Sequence, residues 1–121
     1  MCYHQLMTDI VIVTEKISKD ELKQLAKKRF GDLVKAVIDI KRGIMALGGE
    51  LHADEEAELL KNGSEQLDLW GINIYPDESG NKSIEFDSVI NIRPSQNNRS
   101  RDIESSEIKE KIKHIIKDLV N

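Results

Sequence analysis

Cysteine is almost missing from this chain: Cys2 is the only one in 121 residues. A disulfide framework, a zinc ribbon and a paired-thiol redox centre are therefore excluded. Aromatic residues are few, namely Tyr3, Phe30, Trp70, Tyr75 and Phe86. That is a thin supply for stacking single-stranded nucleic acid. Long apolar runs are missing too, so no segment approaches the roughly 18 residues of a membrane-spanning helix. The first residues lack a basic region followed by an apolar stretch, so no signal peptide is expected and the chain reads as soluble and cytoplasmic. Basic residues are not in excess: 18 Lys and Arg face 22 Asp and Glu, a net charge of −4. A broadly basic nucleic-acid binder is excluded, and only a local basic patch is left. The phosphate-loop, dinucleotide, zinc-protease and serine-hydrolase signatures do not occur.

Aliphatics, by contrast, are plentiful, with 16 Ile, 11 Leu and 6 Val. A chain of this length buries roughly two-thirds of its unfolded surface and needs neither disulfide nor structural metal to fold. Residues 1–9 have no periodicity and read as a loose extension, with Met7 as an alternative start. Residues 10–121 read as a single domain.

The element pattern is β-α-ββ-α-ββ-α. Ile10 to Val13 is one short buried strand. Ser18 with Glu21 forms a capping box, and Ile17 with Leu22 the matching staple. Leu22, Leu25, Ala26 and Phe30 give that helix its inward face, and Gly31 ends it. Residues 33–40 and 44–51 read as a hairpin turning at Lys41-Arg42-Gly43. Gly48-Gly49 marks a bulge or the close approach of another group. Asp54 is the expected cap of a short helix reaching Lys61. A second hairpin follows. Pairing Tyr75 with Ser83 sets Ile74 opposite Ile84, Ile72 opposite Phe86, Asn73 opposite Glu85 and Gly71 opposite Asp87, so like faces like. Ile84, Phe86, Ser88, Ile90 and Ile92 then share one face. After a polar loop, Ser105 or Ser106 caps a last helix with an Ile108, Ile112, Ile115, Leu119 stripe. The expected fold is α+β, a mostly antiparallel five-strand sheet with helices on one face.

Three phrases resemble an uncharacterised prokaryotic family, a domain of unknown function. They are Gly48-Gly49-Glu50-Leu51-His52-Ala53-Asp54, Asp68 to Tyr75 (DLWGINIY), and Ile90 to Ser95 with Asn98-Arg99-Ser100. The resemblance implies a small single-domain prokaryotic protein and no particular chemistry.

Two stretches carry candidate chemistry. Glu50, His52 and Asp54 lie at i, i+2 and i+4, which in an extended chain is one face. Two carboxylates and an imidazole suit Zn²⁺ or Mn²⁺, or a histidine base oriented by an acid. The plainer alternative is that Asp54 caps a helix, Glu50 is solvated and His52 satisfies a backbone group. The second stretch is the loop from Arg93 to Arg101. Arg93 and Arg99 offer planar forks for phosphate or carboxylate, and Ser95, Asn97 and Asn98 add neutral donors. Its plainer alternative is a loop that bonds to itself and pins the last helix. Trp70 alternates with Ile72 and Ile74 into the core, whereas Asn73 and Tyr75 fall on the other face as ligand candidates. His114 reads as exposed.

The leading expectation is a non-catalytic binding module for an anionic small molecule or a protein partner. The alternative is a small metal-dependent hydrolase of a phosphate-containing substrate, using Glu50, His52 and Asp54 with Arg93 and Arg99. Nucleic-acid binding by the arginine loop comes third. The polar sheet face also offers a place for a second copy of the chain.

Overall fold

In a computed structural model that describes residues 10–121, a five-stranded sheet carries three α-helices and four short 3₁₀ turns. The strands are β1 (Val11–Val13), β2 (Val34–Asp39), β3 (Ile44–Leu47), β4 (Leu69–Ile74) and β5 (Ile84–Glu85). The helices are α1 (Lys19–Arg29), α2 (His52–Lys61) and α3 (Ser106–Leu119). The strands lie in the order β1-β3-β2-β4-β5, every neighbouring pair antiparallel. The α+β class and the order of elements are those expected. The expected extension over residues 1–9, with Cys2, His4 and Met7, lies outside the described residues.

Local signals explain most of the boundaries. At α1 the Ser18 hydroxyl accepts from the Glu21 N–H, and the Glu21 carboxylate accepts from the Ser18 N–H. That reciprocal pair satisfies two free donors of the first turn. At the β2–β3 turn, Asp39 Oδ1 accepts from the Lys41 and Arg42 amides, both at 2.9 Å. Gly43 turns there with φ of 69°, a backbone that L side chains rarely adopt. Ser105 caps α3.

The sheet is covered on both faces, not one. Val34, Ala36, Ile38, Met45, Trp70, Ile72 and Ile74 pack with Leu22 and Ala26 of α1 and Ile112 and Leu119 of α3. The opposite parity, Val37, Ala46 and Leu69, packs with Leu59 of α2. This division follows from strand alternation: a sheet whose two faces are both apolar needs a cover on each.

Four features differ from expectation. Strand β3 stops at Leu47, because Gly48 turns the chain with φ of 91°. Phe30 is 40% exposed, and its ring carries the Lys35 ammonium 5.2 Å from the centroid. Helix α2 starts at His52 after the extended Leu51, so Asp54 sits inside the first turn and does not cap it. A carboxylate there still favours the positive end of the helix.

Strand β5 is the fourth. The expected register holds where the strand exists: Asn73 faces Glu85, Ile74 faces Ile84, and the Tyr75 N–H donates to Ser83 O. The pairings of Ile72 with Phe86 and Gly71 with Asp87 do not form, and residues 86–92 are no strand. Asn91 takes the vacant place. Its Oδ1 accepts from the Gly71 N–H at 2.8 Å, and its Nδ2 donates to Gly71 O at 2.9 Å. One side-chain amide thus stands in for a backbone peptide. The chain can come this close because Gly71 has no Cβ; one built there would sit 2.6 Å from Ser88 Cβ.

Candidate functional site

The polar side chains that gather do so where the start of α2 meets the outer half of the sheet. Lys35 of β2 stands in register with Asn73 of β4, on the face opposite Ile72 and Ile74. Asn73 Nδ2 donates to Glu85 Oε1 at 2.8 Å, and the Tyr75 hydroxyl donates to the same oxygen at 3.1 Å. The Asn73 side chain is buried, and its Oδ1 has no donor among the described residues. Burial and then the Glu85 contact push the Tyr75 hydroxyl above its ordinary pKa.

His52 opens α2 and reaches across to the Ile72 carbonyl, with Nε2 2.7 Å from the oxygen. A carbonyl only accepts, so Nε2 holds the proton and Nδ1 keeps the lone pair. Burial drives the imidazole below its usual pKa, partly offset by the bond to Ile72. The ring is thus neutral at pH 7. The charges of Lys35, Asp87 and Arg101 also reach it.

Glu55, one turn further along, is fully buried. Its Oε2 accepts from the Gly49 N–H at 2.8 Å, while Oε1 has no partner among the described residues. Burial with a single donor pushes its carboxyl up to about 9, so it is protonated at neutral pH. This is the close approach that Gly48-Gly49 signalled: a Cβ on Gly49 would lie 3.1 Å from Glu55 Cγ.

Charge on this face is unevenly matched. The Glu85 carboxylate is held by Asn73 and Tyr75, and Asp87 by Arg101 Nε at 2.6 Å. Among the described residues, no carboxylate lies within ion-pair distance of the Lys35 ammonium. The ammonium lies over the Phe30 ring, and its charge also acts on His52 and Glu55.

The expected Glu50–His52–Asp54 convergence does not form. His52 and Asp54 belong to a helix, where residues two apart point in different directions. Glu50 and Asp54 are exposed, whereas His52 is buried against Ile72. Among the described residues no three His, Cys, Asp or Glu side chains are grouped to hold a metal ion. The triplet therefore does not fit Zn²⁺ or Mn²⁺.

The arginine loop is also organised inward. The Arg93 guanidinium lies over Trp70, 4.1 Å from the ring centroid, and donates to the carbonyls of Gln66 and Leu69. Asn98 is buried; its Nδ2 donates to the carbonyls of Asn91, Ser100 and Asp102, and its Oδ1 accepts from the Glu104 N–H. The amides of Arg99 and Ser100 donate to Glu104, holding its carboxyl below the usual range. Of the expected anion binders in this loop, Ser95, Asn97 and Arg99 are exposed. Arg93 and Asn98 hold the loop together.

Asn73 and Tyr75 are thus in the polar cluster and Arg93, Ser95, Asn98 and Arg99 are in a separate loop. Lys35 was not among the expected residues. The signal for it is the β2 alternation, which sends Val34, Ala36 and Ile38 to one face and Lys35 to the other. Its placement beside Asn73 required the β2–β4 register.

Among the described residues no helix is long and apolar enough to cross a membrane. No curated protein and no solved structure matches the chain. A family model described as "Protein of unknown function (DUF5674)" matches residues 11–119, and the chain belongs to that family.

Proposed function

We propose that this domain is a non-catalytic binding module that takes the oxyanion group of a small ligand, a carboxylate or phosphate, beside Lys35. The observation that carries this reading is that no carboxylate among the described residues lies within ion-pair distance of the Lys35 ammonium. Glu55, which feels the Lys35 charge, is protonated, and Glu85 and Asp87 are engaged by donors of their own. An oxyanion is the natural partner for an ammonium that has no carboxylate beside it. The neutral His52, held by Ile72, adds polarity without a second charge. Asn73 and Tyr75 act by keeping Glu85 from neutralising the lysine.

The test is a thermal-shift and NMR titration with inorganic phosphate and with citrate, at constant ionic strength set by NaCl. Wild type is expected to gain stability with saturable shifts around Lys35 and Asn73. Lys35→Gln is expected to lose both, and Lys27→Gln on exposed α1 to keep both. Equal responses from wild type and Lys35→Gln would reject the reading.

A further inference from the structure

A groove on the other side of the sheet shares no residue with the Lys35 cluster. It lies between β5 and α3, holds about 480 Å³ and is lined by Gly80, Asn81, Ile84, Phe86, Lys109 and Lys113. Ile84 and Phe86 form an apolar floor, and both pack on the core. Two α3 lysines supply the rim, Lys109 lying 5.2 Å from the Phe86 ring centroid.

The groove runs along an open strand edge. β5 is the last strand of the sheet. The Tyr75 N–H donates to Ser83 O, so the backbone groups of Ser83 point towards β4. By alternation those of Ile84 point away, towards the edge. Further along, Ser88 already donates outward to Arg101 O, so the free stretch is confined to the groove. The lysines are engaged only loosely: Lys109 lies 3.4 Å from Asp102, and Lys113 3.4 Å from Glu110. Such exposed pairs exchange readily for a better partner.

We propose that this groove receives a short extended peptide of a partner protein, acidic and apolar in alternation, which adds to the edge of β5. The peptide backbone bonds to the free N–H and C=O of Ile84. Side chains on its inner face meet Ile84 and Phe86, and its carboxylates meet Lys109 and Lys113. Strand addition of this kind takes affinity from the backbone and selectivity from alternate side chains. A compact organic anion would use the lysines and leave the strand edge idle.

The experiment is a selection from a random heptapeptide display library against wild type and against Lys109→Glu/Lys113→Glu, followed by NMR with the selected peptides. Far-ultraviolet circular dichroism checks that the charge-reversed variant folds. Peptides enriched in Glu and Asp on wild type, weakened at least tenfold on the variant, are the expected result. Slowed exchange of the Ile84 amide on peptide binding is the second expected result and needs no variant. Selected peptides without acidic enrichment, no selection, or an Ile84 amide that exchanges unchanged would overturn the proposal. Hexanoate is titrated in parallel. Its binding at Lys109 and Lys113 without any selected peptide would assign the groove to a small amphiphile instead and overturn it too.

Discussion

Arg93 and Trp70 form a stacked pair, with the guanidinium carbon 4.1 Å from the ring centroid and two of its nitrogens on the carbonyls of Gln66 and Leu69. The pair ties the arginine loop to the start of β4. A partly desolvated cation–π contact contributes about 1–2 kcal/mol, and bonds from a charged donor about as much again. Arg93→Ala is therefore expected to destabilise the fold by about 2–4 kcal/mol in urea unfolding. Arg93→Lys should recover less than half of that loss, because an ammonium cannot span two carbonyls while stacked. A loss below about 0.5 kcal/mol for Arg93→Ala would show that the stack is incidental.

Glu55 predicts a pH slope. Its carboxyl ordinarily titrates near 4.5 and is pushed up to about 9 in the fold. Between those values the native state holds a proton that the unfolded chain has lost. Its contribution is complete below pH 4.5 and declines as pH rises towards 9, by at most about 1.4 kcal/mol per unit. Glu55→Gln keeps an acceptor for Gly49 and never ionises. The variant should match wild type near pH 4 and exceed it at pH 8. Parallel stability curves from pH 4 to 9 would contradict this.

His52 predicts a slope of the opposite sign. Its folded pKa lies below the ordinary 6.5, so the native state holds fewer protons than the unfolded one in that window. Stability from this group is complete above pH 6.5 and declines as pH falls through the folded value. Nitrogen-15 NMR at pH 7 should show the neutral ring protonated at Nε2, the atom facing the Ile72 carbonyl. A charged ring or the other tautomer at that pH would refute the assignment.

Gly71 predicts a non-additive pair. A Cβ there would lie 2.6 Å from Ser88 Cβ and 2.7 Å from its Oγ. Gly71→Ala should cost about 1–3 kcal/mol, the usual range for forcing extra volume into a packed site. Ser88→Gly removes both offending atoms, so the double variant should lose less than the sum of the singles. Strict additivity in a double-mutant cycle would place the clash elsewhere.

Sequence periodicity carried most of the architecture. The α1 capping box, the α3 stripe and the Tyr75–Ser83 register are local patterns with one low-energy solution each, and all three are present. What the sequence did not show rests on contacts between distant segments. Asp54 has the chemistry of a cap, yet the chain turns earlier because Gly48 and the buried Glu55 set where α2 begins. Glu55 reads as one acid among several in a charged run; only the fold shows that it is the one enclosed. The end of β5 was hidden for a similar reason. Residues 86–92 alternate well enough for a strand, but the Asn91 side chain takes the Gly71 backbone groups that the Asp87 backbone was expected to meet. For the candidate site, Asn73 and Tyr75 were legible from alternation alone. Lys35 became visible only with the strand order.

The lead-in to α1 is joined to the far end of α3. The Ile17 N–H donates to Leu119 O at 2.8 Å, and the Asn121 N–H donates to Ile17 O at 3.0 Å. Ile17 and Leu119 are also buried in the same core cluster. Neither helix can peel from the sheet without breaking this latch, so α1 and α3 should open as one cooperative unit. In native-state hydrogen exchange, the amides of Ile17 and Asn121 should share one opening free energy despite lying a hundred residues apart in sequence. The same separation makes the latch a late event in folding, since the longest loop closes only after nearer contacts have formed.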